Sequence, residues 1–175
     1  MAGFKLKVTP EMEALTEICV ANSKIDSSLY TKYDVKRGLR DINGKGVLAG
    51  LTEISAIISS ETVDGKSVPC DGRLYNRGYN IHDLTRGCLK ENRYGYEEVA
   101  YLILFGELPD HEKLEEFKKI LSGQRSLPTN FVRDVIMKAP PKDMMNTLSR
   151  SVLTLYAYDH NAEDISLPNV LRQCL

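Results

Sequence analysis

Long apolar segments are missing from this 175-residue sequence. Its longest strongly apolar stretch, Val99 to Phe105, is much shorter than the roughly 20 residues that a helix needs to cross a bilayer. Residues 1–10 also contain no apolar run of signal-peptide length. We therefore expect no membrane partner, no secretion through a signal peptide and a cytoplasmic location.

An excess of one charge is missing as well. The sequence has 23 Lys and Arg against 24 Asp and Glu, and no block concentrates either sign. Because nucleic-acid backbones are bound through surplus positive charge, this balance argues against a nucleic-acid partner. The hydrophobic content of 42% is enough to build a folded core of roughly one domain.

Cysteines are few and scattered along the chain. Cys19, Cys70, Cys88 and Cys174 form no C-x-x-C pair, and no histidine stands near them at zinc-ligand spacing. We therefore expect reduced, mostly buried thiols and no metal site.

The residues best suited to catalysis lie outside recognisable motifs. His82 follows a predicted strand, His111 opens an exposed helix, and His160 lies in a polar loop. Gly44-Lys45-Gly46 lacks the pattern of a phosphate-binding loop, and no G-x-G-x-x-G follows a strand. From the residues alone we predict no catalytic, substrate-binding, cofactor-binding or metal-binding residue in this chain.

Two helices are predicted before residue 47. Thr9-Pro10-Glu11 is typical of a helix start, and this helix should run to about Asn22. Asp26 predicts the cap of a second helix that continues to Leu39 and is ended by the glycines at residues 43–46.

β-Branched residues are then concentrated in residues 47–81. Asp64-Gly65 and Asp71-Gly72 both suit tight turns between strands. This segment therefore predicts a small sheet of two or three strands.

Helical periodicity dominates the remainder of the chain. Glu97 begins an almost wholly apolar helix that stops at Gly106, and we expect this helix to be enclosed on nearly all sides. Asp110 predicts the cap of an amphipathic helix, and Pro128 predicts the start of a further one that ends before Pro140. Residues 142–158 predict another helix, with Met145, Leu148, Val152, Leu155 and Tyr156 buried.

The last predicted helix is short. Asp164, Ser166 and Pro168 are good start signals, but only about two turns follow, which is marginal for a helix on its own. We therefore expect the sequence to be the N-terminal portion of a longer protein.

The stretch "RLYNRGYNIHDL" allows two interpretations. As a strand it would place Arg73, Tyr75, Arg77 and Tyr79 in one row, which would suit base stacking. As a strand end it would bend at Gly78 and enter a helix, with its arginines paired to acids or carbonyls. We favour the second interpretation because nothing basic flanks the row.

Three stretches resemble citrate synthases. Gly72–Leu84 is similar to the family pattern G-x-L-x-Y-R-G-Y-x-I-x-D-L, and Glu97–Pro109 is similar to E-E-V-A-Y-L-L-L-F-G-E-L-P. Arg37–Thr52 resembles the lead-in found in bacterial members of the family. The resemblance runs from about Tyr33 to the end and is weaker after Pro128.

The resemblance implies a mainly α fold, namely part of a multi-helical citrate-synthase-like large domain with a small N-terminal β-hairpin or sheet. It divides the chain into an N-terminal helical arm without a match (1–31), a small β element with connectors (32–96) and a truncated helical part of the large domain (97–175).

The resemblance also implies a reaction, the condensation of acetyl-CoA with oxaloacetate to citrate and CoA. One aspartate and two histidines carry it out in the family, and their motifs are expected beyond Leu175. The chain alone is therefore predicted to be inactive and to bind no cofactor, with acetyl-CoA a substrate of the full-length homodimer. The alternatives are a 2-methylcitrate synthase fragment using propionyl-CoA, a non-catalytic helical interaction module and a nucleic-acid binder.

Overall fold

The computed structural model describes residues 7–36, 38–40 and 47–175. The described chain is mainly helical with one small antiparallel sheet, as the sequence predicts. The glycines expected to end the second helix, at residues 43–46, lie outside the described residues. The helices are α1 Pro10–Ala21, α2 Ser28–Lys32, α3 Ile81–Lys90, α4 Tyr96–Phe105, α5 His111–Gly123, α6 Met144–Leu155 and α7 Leu167–Cys174, and the strands are β1 Ser55–Val63, β2 Lys66–Asn76 and β3 Tyr79–Asn80.

The chain divides into two compact units. The central unit is Glu17–Phe117, and the terminal unit combines residues 7–16 with Lys118–Leu175. The division into residues 1–31, 32–96 and 97–175 stays a prediction. None of the helices among the described residues is both long enough and apolar enough to cross a membrane.

Predicted helix starts are confirmed by their capping hydrogen bonds. The Thr9 hydroxyl accepts from the Met12 N–H at 3.3 Å, at the start of α1. The Asp110 carboxylate accepts from the Lys113 N–H at 2.9 Å before α5. Each side chain satisfies one of the backbone donors that a helix start leaves unpaired.

The second helix is shorter than predicted, because α2 ends at Lys32 rather than at Leu39. Asp34 adopts a left-handed conformation with φ 48°. The Asp34 N–H donates to the Thr31 carbonyl and the Val35 N–H donates to the Tyr30 carbonyl, at 3.2 and 3.0 Å. These two bonds form a Schellman ending, which closes the helix two residues after Lys32.

The sheet has three antiparallel strands in the order β1-β2-β3. Asp64-Gly65 forms the predicted turn between β1 and β2, with φ 50° and 75°, as a type I′ turn requires. The second predicted turn is wrong, since Asp71 and Gly72 lie inside β2. There the pairing passes from Arg73 opposite Ile58 to Pro69 opposite Ser60, so the extra residues form a bulge.

The stretch from residue 73 to 84 has the structure of a strand end that turns into a helix. Arg77 and Gly78 form the turn between β2 and β3, with φ 47° and 86°. α3 then begins at Ile81, and the Asn80 side chain accepts from the His82 N–H at 2.9 Å. Because Arg77 lies in the turn, the proposed base-stacking row is not a continuous strand face.

The core of the central unit is an aromatic cluster between α4 and α5. The ring centroids of Tyr101, Phe105 and Phe117 lie 4.6 to 5.8 Å apart, with Tyr101 and Phe105 each edge-on to Phe117. Leu102 and Leu114 are buried in the same unit. The expectation that α4 is enclosed on nearly all sides is wrong for the described chain, where Val99, Ala100, Ile103 and Leu104 are half-buried.

The predicted helix after Pro128 is a short π-helical segment, Val132–Met137. The apolar residues at the start of this segment are only partly buried. Phe131 packs edge-on against Tyr158, with ring centroids 5.7 Å apart, whereas Val132 is exposed. The helix predicted from residues 142 to 158 is confirmed as α6 followed by a 3-10 turn, Tyr156–Tyr158.

Candidate functional site

Arg77 is the centre of a hydrogen-bonded junction in the central unit. Its Nε and one terminal nitrogen donate to the Ile103 carbonyl at 3.2 and 3.1 Å, and its other terminal nitrogen donates to the Asn22 carbonyl at 3.0 Å. The Asn22 side-chain amide donates to the Phe105 carbonyl at 2.6 Å. We call these residues, with Gly106, the Arg77 junction.

The junction satisfies the carboxyl end of α4. Ile103 and Phe105 lie in the last turn of α4, where backbone carbonyls find no N–H donor within the helix. These carbonyls also form the negative end of the helix dipole. Gly106 ends the helix with φ 81°, and a Cβ there would lie 2.9 Å from the Asn22 Cβ. A cation and an amide thus replace the missing helical partners.

A polar cavity of about 340 Å³ adjoins the junction. Lys24 and Glu53 line it together with Arg77 and Asn22. Because the Arg77 guanidinium is directed to two backbone carbonyls, the cavity is part of a structural connection between segments rather than a built anion site.

Cys88, Arg93 and Glu98 form a second polar cluster, at the end of α3 and the start of α4. Arg93 donates to the Glu98 carboxylate at 2.7 Å, and the Cys88 thiol lies 3.5 Å from the same carboxylate. Burial raises the pKa of the Cys88 thiol, and its hydrogen bond to Glu98 adds to this increase. The thiol is therefore held protonated, which is unfavourable for nucleophilic chemistry.

The loop between α3 and α4 explains this arrangement. Asn92 takes a left-handed φ of 49°, and the Arg93 N–H donates to the Cys88 carbonyl at 3.1 Å. This Schellman ending directs the Arg93 side chain back toward Cys88. Gly95 is also required here, since a Cβ would lie 2.6 Å from the Cys88 sulfur.

A third polar cluster lies in the terminal unit. Arg172 in α7 donates to the Asp159 carboxylate at 2.5 Å and to the Asn169 side chain at 2.8 Å. Asn169 donates in turn to the Asn161 and Asp164 carbonyls at 2.9 and 2.7 Å. We call these residues the α7 clamp, because they fasten the loop of residues 159–164 to α7.

Charge in the α7 clamp is compensated internally. The Arg172 and Asp159 side chains are only 6% and 12% exposed. Burial opposes ionisation of Asp159, but hydrogen bonds from Arg172, the Asn161 N–H and Gln173 together hold the pKa of this carboxyl below its usual range. This buried and internally compensated ion pair therefore has a structural role in the terminal unit.

The histidines lie at exposed positions on separate elements. His82 is the second residue of α3, His111 is the first residue of α5, and His160 lies in the loop after the 3-10 turn. In the part of the chain that the structure describes, no three His, Cys, Asp or Glu side chains are grouped to hold a metal ion.

The largest departure from the sequence prediction is the apolar face of α6. Four of the residues predicted to be buried in the helix over 142–158 are 57 to 67% exposed, namely Met145, Leu148 and Val152 in α6 and Tyr156 directly after it. An apolar groove of about 840 Å³ runs beside this face. It is lined by Ile136, Met137, Pro140, Pro141, Lys142, Asp143, Met144, Met145, Thr147 and Leu148.

The sequence predicted the helices and strands better than it predicted the polar clusters. Glu98 is one of two acids in the first turn of α4, and only the structure shows that it accepts from Arg93. The sequence correctly predicted that the arginines of the 73–84 stretch bind acids or carbonyls, since Arg73 pairs with Glu61 and Arg77 with carbonyls. Arg86 in the following helix also binds an acid, since it pairs with Asp83 at 3.3 Å on an exposed face.

The cysteines are free thiols, and only Cys88 is buried. Cys19 and Cys70 are half-buried and Cys174 is exposed, so the expectation of mostly buried thiols is wrong.

Comparison with known proteins identifies the family. The family model described as citrate synthase, C-terminal domain, matches residues 38–174, which is more than half of the chain. The chain is 34% identical over 132 residues to the citrate synthase of Haloferax volcanii, covering 74% of this chain and 29% of that protein.

Two further similar proteins are 2-methylcitrate synthases. That of Shewanella oneidensis is 36% identical over 107 residues, which are 59% of this chain and 24% of the relative. The 2-methylcitrate synthase 2 of Corynebacterium glutamicum is 32% identical over 123 residues, or 69% and 27% of the two chains. The chain thus spans about a quarter of the length of these relatives. From the family-model match, this chain belongs to the citrate synthase family.

Proposed function

We propose that this chain forms part of the large helical domain of a citrate synthase, which condenses acetyl-CoA with oxaloacetate to give citrate and CoA. The observation that carries the proposal is the Arg77 junction. It joins two of the three family-like stretches directly, because Arg77 of R-G-Y donates to the Ile103 carbonyl inside E-E-V-A-Y-L-I-L-F-G-E-L-P. Two of the stretches that resemble the family are therefore in direct contact in this unit.

In this proposal the chain is a scaffold rather than the source of the reacting groups. Condensation needs a base for the acetyl methyl and hydrogen-bond donors for the developing oxyanions, held close together. The exposed positions of His82, His111 and His160 on separate elements do not suit that requirement. As part of this proposal, the chain by itself is inactive and binds no cofactor.

An assay of CoA release tests this directly. We expect the purified chain, supplied with acetyl-CoA and oxaloacetate, to release free thiol no faster than a sample without protein. A full-length citrate synthase measured in parallel verifies the reagents. Turnover by the chain that depends on oxaloacetate would contradict the scaffold role, and His82→Ala and His111→Ala variants would then identify the group responsible.

The second candidate is a 2-methylcitrate synthase, which uses propionyl-CoA. Two similar proteins carrying that name favour it. Comparing kcat/KM for acetyl-CoA and propionyl-CoA, on the product of the complete open reading frame, separates them. We expect acetyl-CoA to be preferred, and the reverse order would assign the second activity.

The partner in this proposal is a second copy of the chain, as in a homodimer. The exposed side chains of Met144, Met145, Leu148 and Val152 form an apolar stripe on α6 that favours burial against another helix. Asn146 is also exposed and polar, and it lies two residues before Leu148 on the opposite side of the same helix, so it offers a matched control.

Light scattering after size-exclusion chromatography measures this association. We expect the unmodified chain to run at twice its monomer mass, Leu148→Glu to shift it to a monomer, and Asn146→Glu to leave the dimer intact. A dimer that survives Leu148→Glu unchanged would show that α6 is not the interface. A monomeric unmodified chain would contradict self-association through this chain alone.

A further inference from the structure

We draw no further inference here: the strongest candidate, the apolar groove of about 650 Å³ between α3 and α4 that is lined in part by the buried Cys88, carries nothing because no feature of the structure shows what covers it.

Discussion

Removing the guanidinium of Arg77 tests whether the Arg77 junction holds the central unit together. Arg77→Met deletes all three donors while keeping a Cβ, so the cost of the positive φ at this turn position stays the same. Arg77→Lys keeps the charge but loses the planar fork that reaches two carbonyls at once. Comparing the two variants separates the effect of charge from that of geometry.

The magnitude follows from the two carbonyl acceptors. A hydrogen bond to a charged donor contributes about 1.5–3 kcal/mol to the free energy of unfolding, and we assign this full range to the half-buried interaction with the Ile103 carbonyl. The more exposed bond to Asn22 is partly replaced by water and adds about 0.5–1 kcal/mol. We therefore expect Arg77→Met to reduce the free energy of unfolding by about 2–4 kcal/mol, and Arg77→Lys by somewhat less.

Thermal unfolding followed by circular dichroism measures this loss. For a chain of this length the expected change corresponds to a fall in Tm of roughly 5–15 °C. Arg86→Met is the control, because Arg86 forms only an exposed pair with Asp83 and its loss should cost at most about 0.5 kcal/mol. If Arg77→Met destabilises the protein no more than Arg86→Met, the junction does not contribute to stability as argued.

Two further predictions concern Gly106 and the α7 clamp. Gly106→Ala should lower the free energy of unfolding, measured by chemical denaturation, by about 1–3 kcal/mol, because a Cβ is strained at φ 81° and would meet Asn22. Gly123→Ala is the control, since a Cβ there has open space and should be neutral or stabilising. Equal effects of the two substitutions would contradict the role of Gly106. Asp159→Asn should cost about 3–5 kcal/mol at pH 7, since it leaves the Arg172 charge buried without its partner. The folded-state pKa of Asp159 is lowered, so its contribution is present above the unfolded pKa of about 3.9 and is lost as the pH falls below it. In urea unfolding, the difference in free energy of unfolding between the unmodified chain and Asp159→Asn should therefore be smaller at pH 3 than at pH 7. A difference that does not change with pH would refute the pairing of Asp159 with Arg172.

Features fixed by a few neighbouring residues were predictable from the sequence. The caps at Thr9 and Asp110 and the turn at Asp64-Gly65 depend on local hydrogen bonds and on the conformations open to glycine. Asp71-Gly72 shows where this reasoning fails. The same residue pair suits a hairpin turn and a β-bulge, and only the strand pairing decides between them.

The ends of two helices depended on residues whose conformation is not distinctive in sequence. Asp34 and Asn92 both take positive φ values, which Asp and Asn do more readily than other side chains but far from always. As a result, α2 was predicted too long, and the turn that directs Arg93 toward Cys88 was not foreseen.

The polar clusters were predictable only as residue types. Arg77 reaches a carbonyl 26 positions away and Arg172 reaches a carboxylate 13 positions away. No periodicity in the sequence specifies such partners, because they depend on how loops bring elements together. The one local signal is Asn169 and Arg172, three residues apart on one face of α7.

Burial is the property that the sequence predicted least well, and α6 shows the physical reason. An apolar stripe indicates that one face of a helix favours burial, but it does not specify what covers that face. A buried charge such as Arg172, in contrast, requires a particular acceptor. Covering one exposed Leu, Met or Val side chain is worth about 1.5–3 kcal/mol, so the four-residue stripe of Met144, Met145, Leu148 and Val152 offers on the order of 10 kcal/mol before entropy is subtracted. That is comparable with the whole stability of a domain. The three polar clusters described above each find their hydrogen-bond partners within one unit, whereas the apolar stripe on α6 is exposed. Leu148→Glu is therefore a sharper test of association than reversing a charge in one of those clusters.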